Sequence, residues 1–571
     1  MLNKSDMNRF FPILRILSIS FLTMTVMATT TNFRFDGYAA RPVSHAWKTV
    51  EMENDFIKVS IFPEIGGKIW EAVEKSTGKE FIYYNHAVKF RDIAMRGAWT
   101  SGGIEFNFGI IGHVPTSATP VDYLTRTNED GSVSCFISST ELLTRTTWTV
   151  EVNLPGDKAY FTTRTTWSNT SQVDQPYYQW MNAGYKASGN LQFCYPGQYY
   201  IGHGGDVHAF PVNEEGRDIS WYKKNNFGAD KSYHVLGEYN DFYGAYWHDD
   251  NFGSVHHAPY NEILGMKIFL WGLSREGGIW EDLLTDTDGQ YVELQSGCMF
   301  NQSSTASTYT PYKHFSFIPG TTDEWTEFWF PVKETGGLSK VSQLGSLHAV
   351  RHNGQLEITF NSLRKIESRL SILSGDKIIH TEPLRLNTMK VWKKSVPLPA
   401  YATPVSIVIG DKELVWNEAP EKENLNRPVK LSEDFDWDDT YGLYVSGEQL
   451  MNQKINAIRS IENSKDWIEN LGVGKPYEEN IDTRLEDFMQ AIAYEKLNEP
   501  EKAASLYRKG RFSSSELLTA MSLRKTSRTK EADTLAESWL KDDHSRPVQI
   551  DQRIINHIKH EEHGNKTQGF F

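Results

Sequence analysis

KAYFTTRTTWS (158–168) is rich in β-branched and aromatic residues that recur with a rough period of two, the signature of a half-buried strand. FIKVSIF (56–62) and MKIFLWGL (266–273) repeat the pattern. From about Ser44 to Val332 such segments alternate with Gly, Asn and Asp turns, and no helix-length apolar period interrupts them. The reading for 44–335 is therefore a mainly β domain, a large antiparallel sandwich whose loops carry the unusual residues. A smaller β-sandwich is expected over 338–420, where LEITFNSL, SRLSIL, KVWKKSVPL and VSIVIG read as strands.

After Arg427 the spacing of apolar residues changes to three and four. An α-helical region is expected over 432–545. Ala493, Tyr494, Leu497, Pro500, Ala503, Ala504 and Tyr507 fit one helix-turn-helix unit of the tetratricopeptide type, with a looser echo at Ala520, Leu523, Ala532 and Leu535. The offset from Ala503 to Ala532 is 29 residues, against about 34 in the standard repeat, so the region is repeat-like. It is a candidate surface for a protein partner. The polar tail, 546–571, reads as frayed.

The N-terminus carries Lys4, Arg9 and Arg15, then the apolar run Ile16 to Ala28. That order is the pattern of a secretory signal peptide over 1–28, and the run is too short for a stable anchor. Export to the periplasm or the extracellular space follows as the expectation. Three cysteines, Cys135, Cys194 and Cys298, exclude a disulfide framework and read as small buried thiols.

The charge balance is 59 basic against 73 acidic residues, a net charge of −14. Such a surface argues against nucleic acid as a partner, since phosphate binding needs a basic stripe. Aromatic residues make up 13% of the chain, with 17 Trp and 26 Tyr, many in polar, Gly-rich surroundings. RDIAMRGAWTSGGIEFNFGIIGHVPTSATPVDY (91–123) sets Trp99, a Gly-Gly pair, Glu105, Asn107 and His113 around one short segment. Rings that stack on pyranose faces, carboxylates and amides that bind hydroxyls, and close backbone approach are the parts of a sugar site. A second cluster, Trp280 to Gln302, presents Glu293 and Gln295 within an alternating run.

PEIGGKIWEAVEKSTGKEFIYYN (63–85), WTSGGIEFNFGIIGH (99–113) and GQYVELQSG (289–297) together resemble the galactose mutarotase-like superfamily of β-supersandwich proteins. More closely, the chain resembles an uncharacterised bacterial family in which such a domain precedes tetratricopeptide repeats and which accompanies polysaccharide-degradation systems. The resemblance implies that Glu293 and Gln295 occupy the superfamily's late Glu-x-Gln strand, where its catalytic base sits. It also implies a histidine general acid in an Asn-His-x-Tyr-Phe-Asn strand, but the comparable YYQWMNAGYKA (177–187) has no histidine.

With that acid missing, Glu105 and Glu293 form the candidate catalytic pair, and an exo-acting glycoside hydrolase on an oligosaccharide or polysaccharide is the leading expectation. The apolar surroundings of Glu105 predict a raised pKa, suited to a proton donor. A sugar epimerase or mutarotase, with Glu293 taking a proton and His113 giving one, is the alternative. A noncatalytic glycan-binding protein is the third. Trp99, Asn107, His113, Trp180, Asn182, His203, His248, Trp280 and Gln295 are the candidate substrate-binding residues. The His-rich stretches 201–210 and 246–260 match no standard zinc spacing, so neither a metal nor another cofactor is expected. Asp286 and Asp288 read as turn residues.

Overall fold

A computed structural model of the protein describes residues 44–90, 99–109, 112–141, 144–237, 240–302, 305–402, 404–419 and 429–439, and short helical stretches and single positions up to 541. The N-terminal segment read as a signal peptide, most of the first half of the helical region and the polar tail lie outside the described residues.

The large domain is a sandwich of two antiparallel sheets. The eleven-stranded sheet runs, through its centre, in the order Lys68–Glu74, Ile104–Phe108, Gln179–Lys186, Tyr291–Gly297, Gly265–Trp271 and Asp230–Leu236. The eight-stranded sheet has Phe242–Trp247, Phe252–His257, Thr322–Lys333 and Phe161–Ser168 at its centre. Alternation along each strand decides which side chains face the other sheet. Phe106, Phe108, Met181, Ala183, Val292, Leu294, Met266 and Ile268 enter one buried cluster with Trp148, Phe161, Trp167 and Trp329 of the opposite sheet. The mainly β, antiparallel architecture expected from the alternation is the one observed.

One buried carboxylate ties the two layers. Glu327, on Thr322–Lys333, is fully buried and accepts from His256 Nε2 at 2.6 Å, from Trp325 Nε1 at 3.0 Å and from Ser296 Oγ of the opposite sheet. Beside it, the Tyr243 hydroxyl donates to the Leu294 carbonyl at 3.3 Å. Both contacts hold the strand Tyr291–Gly297 from its core side.

The domain also contains a helix that the sequence reading left out, Arg275–Leu284, capped by Ser274, whose Oγ accepts from the Gly277 N–H at 3.2 Å. Gly277 and Gly278 in its first turn are poor helix formers and mask the period. After it, Asp286 and Asp288 form a single 3-10 turn, and the Asp288 carboxylate accepts from Tyr83 Oη at 2.8 Å.

Two four-stranded sheets follow between Lys340 and Asn417, packed around Leu347, Ile358, Phe360, Leu370, Ile372 and Ile407. The helices Pro500–Gly510 and Thr529–Lys541 bury Ala503, Ala504, Tyr507 and Ala532. Arg528 reaches across to Glu501 at 3.3 Å.

Because Glu327→Ala leaves three buried donors without their shared acceptor, at about 1–3 kcal/mol each, it should lower the stability of the large domain by about 3–5 kcal/mol. Denaturant unfolding followed by tryptophan fluorescence measures it. A loss within about 0.5 kcal/mol, typical of surface substitutions, would mean that Glu327 does not hold the sheets together.

Candidate functional site

On the face of the eleven-stranded sheet that points away from the core, five polar residues fall on one line. In register, Glu105 pairs with Asn182, Asn182 with Gln295, Gln295 with Lys267, and Lys267 with His234. Each lies on a different strand, and all five are at most 5% exposed. Buried polar groups at this density are costly unless partnered, and most of these are.

Gln302 is the hub at one end. Its Nε2 donates to Gln295 Oε1 at 2.9 Å, its Oε1 accepts from Lys267 Nζ, and its backbone N–H donates to His234 Nε2 at 3.0 Å. Burial pushes the Lys267 amine down to about 7 against the opposing pull of Glu293 and Asp230. His203 closes this end, Nδ1 on the Gln302 carbonyl at 2.8 Å and Nε2 on Ser232 Oγ at 3.0 Å.

Glu105 sits at the other end. One oxygen binds His113 Nδ1 at 2.6 Å, while the other accepts from Trp99 Nε1 and lies 3.3 Å from Lys68 Nζ. Lys68 is delivered to this face by a turn in which Gly66 and Gly67 both take a left-handed φ, at 64° and 65°. A Cβ at Gly66 would stand 2.5 Å from the Ser117 carbonyl, so only glycine fits there. Asn107 fixes the His113 loop by accepting from the Val114 N–H at 2.9 Å. Trp99 and His113 face each other at 4.4 Å.

Glu293 lies on the same face, two residues from Gln295, and accepts from Gln295 Nε2 at 2.5 Å and from the Tyr291 hydroxyl. The charges of Glu105 and Glu293 both act on Lys68, and both act on the Tyr291 hydroxyl. The structure thus brings the two glutamates to one buried region.

It corrects the expected pKa of Glu105. Burial does raise its pKa, but His113 and Lys68 outweigh that, and the carboxyl is held down at about 2. The shift runs opposite to the one expected from its apolar neighbours in sequence.

The centre of the line is where partners run out. Asn182 Oδ1 is buried with no hydrogen-bond partner among the described residues, and so is Trp180 Nε1, two residues earlier on the same face of that strand. The Trp180 ring lies over Gly297 and Gly265 of the two adjacent strands, where a Cβ would come within 2.5 and 2.7 Å of the indole. It reaches an edge-on contact with His234 at 5.6 Å.

Two expected site residues fall elsewhere. His248 follows the strand Phe242–Trp247 of the other sheet, bonded to Gln192 Oε1 at 2.9 Å. That sheet assignment separates it from the line. Trp280 lies on the helix, stacked on Trp271 at 4.1 Å, and packs behind Trp99 and Tyr291. Among the described residues, no group of three or more His, Cys, Asp or Glu converges as a metal site. Lys68, Lys267, His234 and Gln302 were missed, because a lysine in an alternating strand ordinarily marks the solvent face.

A carboxyl that titrates near 4.5 in an unfolded chain and near 2 when folded stabilises the fold fully above the first value, and this stabilisation drains away as the pH falls through the second. Glu105→Gln should therefore flatten the fall of stability between about pH 4.5 and 2 and lower stability at pH 7. Thermal melts across that range measure it. An acid limb identical to that of the unaltered protein would show that the pairing with His113 and Lys68 adds nothing.

Among solved structures, the chain is similar to a TPR-domain containing protein from Parabacteroides distasonis ATCC 8503, at 18% identity and a TM-score of 0.46, over 91% of this chain and 84% of that one. A galactose mutarotase-like protein from Clostridium acetobutylicum matches at 10% identity and a TM-score of 0.37, over 50% of this chain and 96% of its own. A galactose mutarotase-like protein from Lactobacillus casei ATCC 334 matches at 10% identity and 0.37, over 50% of this chain and 100% of its own. The family model described as a domain of unknown function, DUF5107, matches residues 26–332, which is more than half of the sequence, and the chain belongs to that family.

Proposed function

We propose that the protein is a carbohydrate-active isomerase of the aldose 1-epimerase type, working at the line of polar residues. The observation that carries this reading is the unpartnered Asn182 Oδ1 lying in register between Glu105 and Gln295, with Glu293 beside them. A buried acceptor without a donor is a place for a ligand hydroxyl.

Glu293 is the base. It takes the proton from the anomeric hydroxyl of a cyclic aldose, while His113 gives a proton to the ring oxygen, so that the C–O bond opens to the aldehyde. Rotation about the adjacent C–C bond and return of both protons close the ring on the opposite face. Glu105 positions His113 by binding Nδ1. Lys68 in turn holds Glu105.

Hydrolysis by a glutamate pair fits less well. It requires one carboxyl to arrive protonated at the glycosidic oxygen, and Glu105 is kept ionised. Export belongs to the same proposal and rests on the basic and apolar order of residues 4–28. So does a protein partner for the helical region, which rests on its repeat-like spacing.

Polarimetry on freshly dissolved monosaccharides should show faster anomer equilibration with the full chain present. Glu293→Gln and His113→Gln should each slow it by about 10²- to 10⁴-fold. Release of monosaccharide from an oligosaccharide panel, with no effect on anomers, would replace this reading with the hydrolase one.

A further inference from the structure

Between the large sandwich and the smaller one lies a cleft of about 620 Å³ that shares no lining residue with the line of polar residues. Its size is that of small-ligand sites, roughly 300–1,000 Å³. The large domain contributes Lys158, Tyr160, Asp241 and His257, and the connection and turns of the smaller domain contribute Lys340, Arg364, Lys412 and Glu413.

The two domains are fixed to each other beside it. The Ala159 N–H donates to the Leu363 carbonyl at 2.8 Å, and Ala159, Tyr160, Phe242, Val341 and Leu363 share one buried cluster. The cleft is thus a shaped feature of the interface.

Its charge is opposite to that of the chain as a whole. Lys340 binds Asp241 at 2.6 Å and Arg364 binds Glu413 at 2.6 Å, which accounts for both carboxylates of the lining. Lys158 and Lys412 make no close ion pair among the described residues, Asp130 feeling Lys158 only through its charge, and Lys158 stands over the Tyr160 ring at 5.6 Å. A second, independent sign is His257. It lines the cleft with Nδ1 buried and without a hydrogen-bond partner among the described residues, while Nε2 lies 4.0 Å from the Asp241 carboxylate.

We propose that this interdomain cleft binds an anionic ligand of monosaccharide size, its carboxylate or sulfate held by Lys158 and Lys412. The oxyanion is the recognised chemistry, and it can arrive on an acidic sugar or as a free ion.

Calorimetric titration of the full chain with glucuronic acid, inorganic sulfate and glucose separates the cases. Glucuronate or sulfate should bind and glucose should not. The paired substitution Lys158→Gln/Lys412→Gln should weaken the anion about tenfold or more, with recovery in Lys158→Arg/Lys412→Arg. Tighter binding of glucuronate than of sulfate assigns the oxyanion to an acidic sugar, and equal binding assigns it to a free ion. No heat with either anion up to roughly 10 mM, equal affinity for glucose, or affinity unchanged by the paired substitution would overturn the site. Because the cleft shares no residue with Glu293 or His113, this result is independent of the anomer assay.

Discussion

Slipping the strand Gln179–Lys186 by one residue against its neighbours would turn Asn182 and Trp180 into the hydrophobic core and bring Met181 and Ala183 out. The antiparallel register that prevents this is the constraint on which the rest of the structure depends. It is enforced on the core side, where Met181, Ala183, Val292 and Leu294 are all buried in the cluster between the sheets. Ser296 and the Leu294 carbonyl are also tied there to Glu327 and Tyr243. The same alternation then lines up Glu105, Asn182, Gln295, Lys267 and His234 on the other face. The packing that stabilises the sandwich and the placement of the site are two faces of one arrangement.

The electrostatics of that face follow from burial. Five polar side chains placed out of water demand partners, and the chain supplies them in two groups. Lys68, His113 and Trp99 surround Glu105 at one end, and Gln302 links Gln295, Lys267 and His234 at the other. Between them Asn182 Oδ1 and Trp180 Nε1 are left over. They lie two residues apart on one face of the strand Gln179–Lys186, an acceptor and a donor that the described residues leave unused.

Much of this fold was legible in the sequence, because the period of two in segments such as FIKVSIF and KAYFTTRTTWS survives wherever one strand face is buried. The Glu-x-Gln run likewise placed Glu293 and Gln295 on one face. What escaped had physical causes. The helix Arg275–Leu284 is hidden by two glycines in its first turn. The pKa of Glu105 was misjudged because its apolar neighbours in sequence, Ile104 and Phe106, point to the core, whereas Lys68 and His113 reach it from other segments. Lys267, between Met266 and Ile268, reads as a surface residue of a half-buried strand. Only the three-dimensional register shows that its face is covered. Trp180 was recognisable as a candidate platform, but the two glycines beneath it come from strands far away in sequence.

The most direct measurement of the central claim is a crystal structure of the full chain soaked with a neutral monosaccharide. The account predicts the sugar on the outer face of the eleven-stranded sheet, with a hydroxyl within hydrogen-bonding distance of Asn182 Oδ1 and the anomeric carbon between Glu293 and His113. A sugar bound elsewhere, with Asn182 and Trp180 satisfied by the protein's own groups, would contradict it.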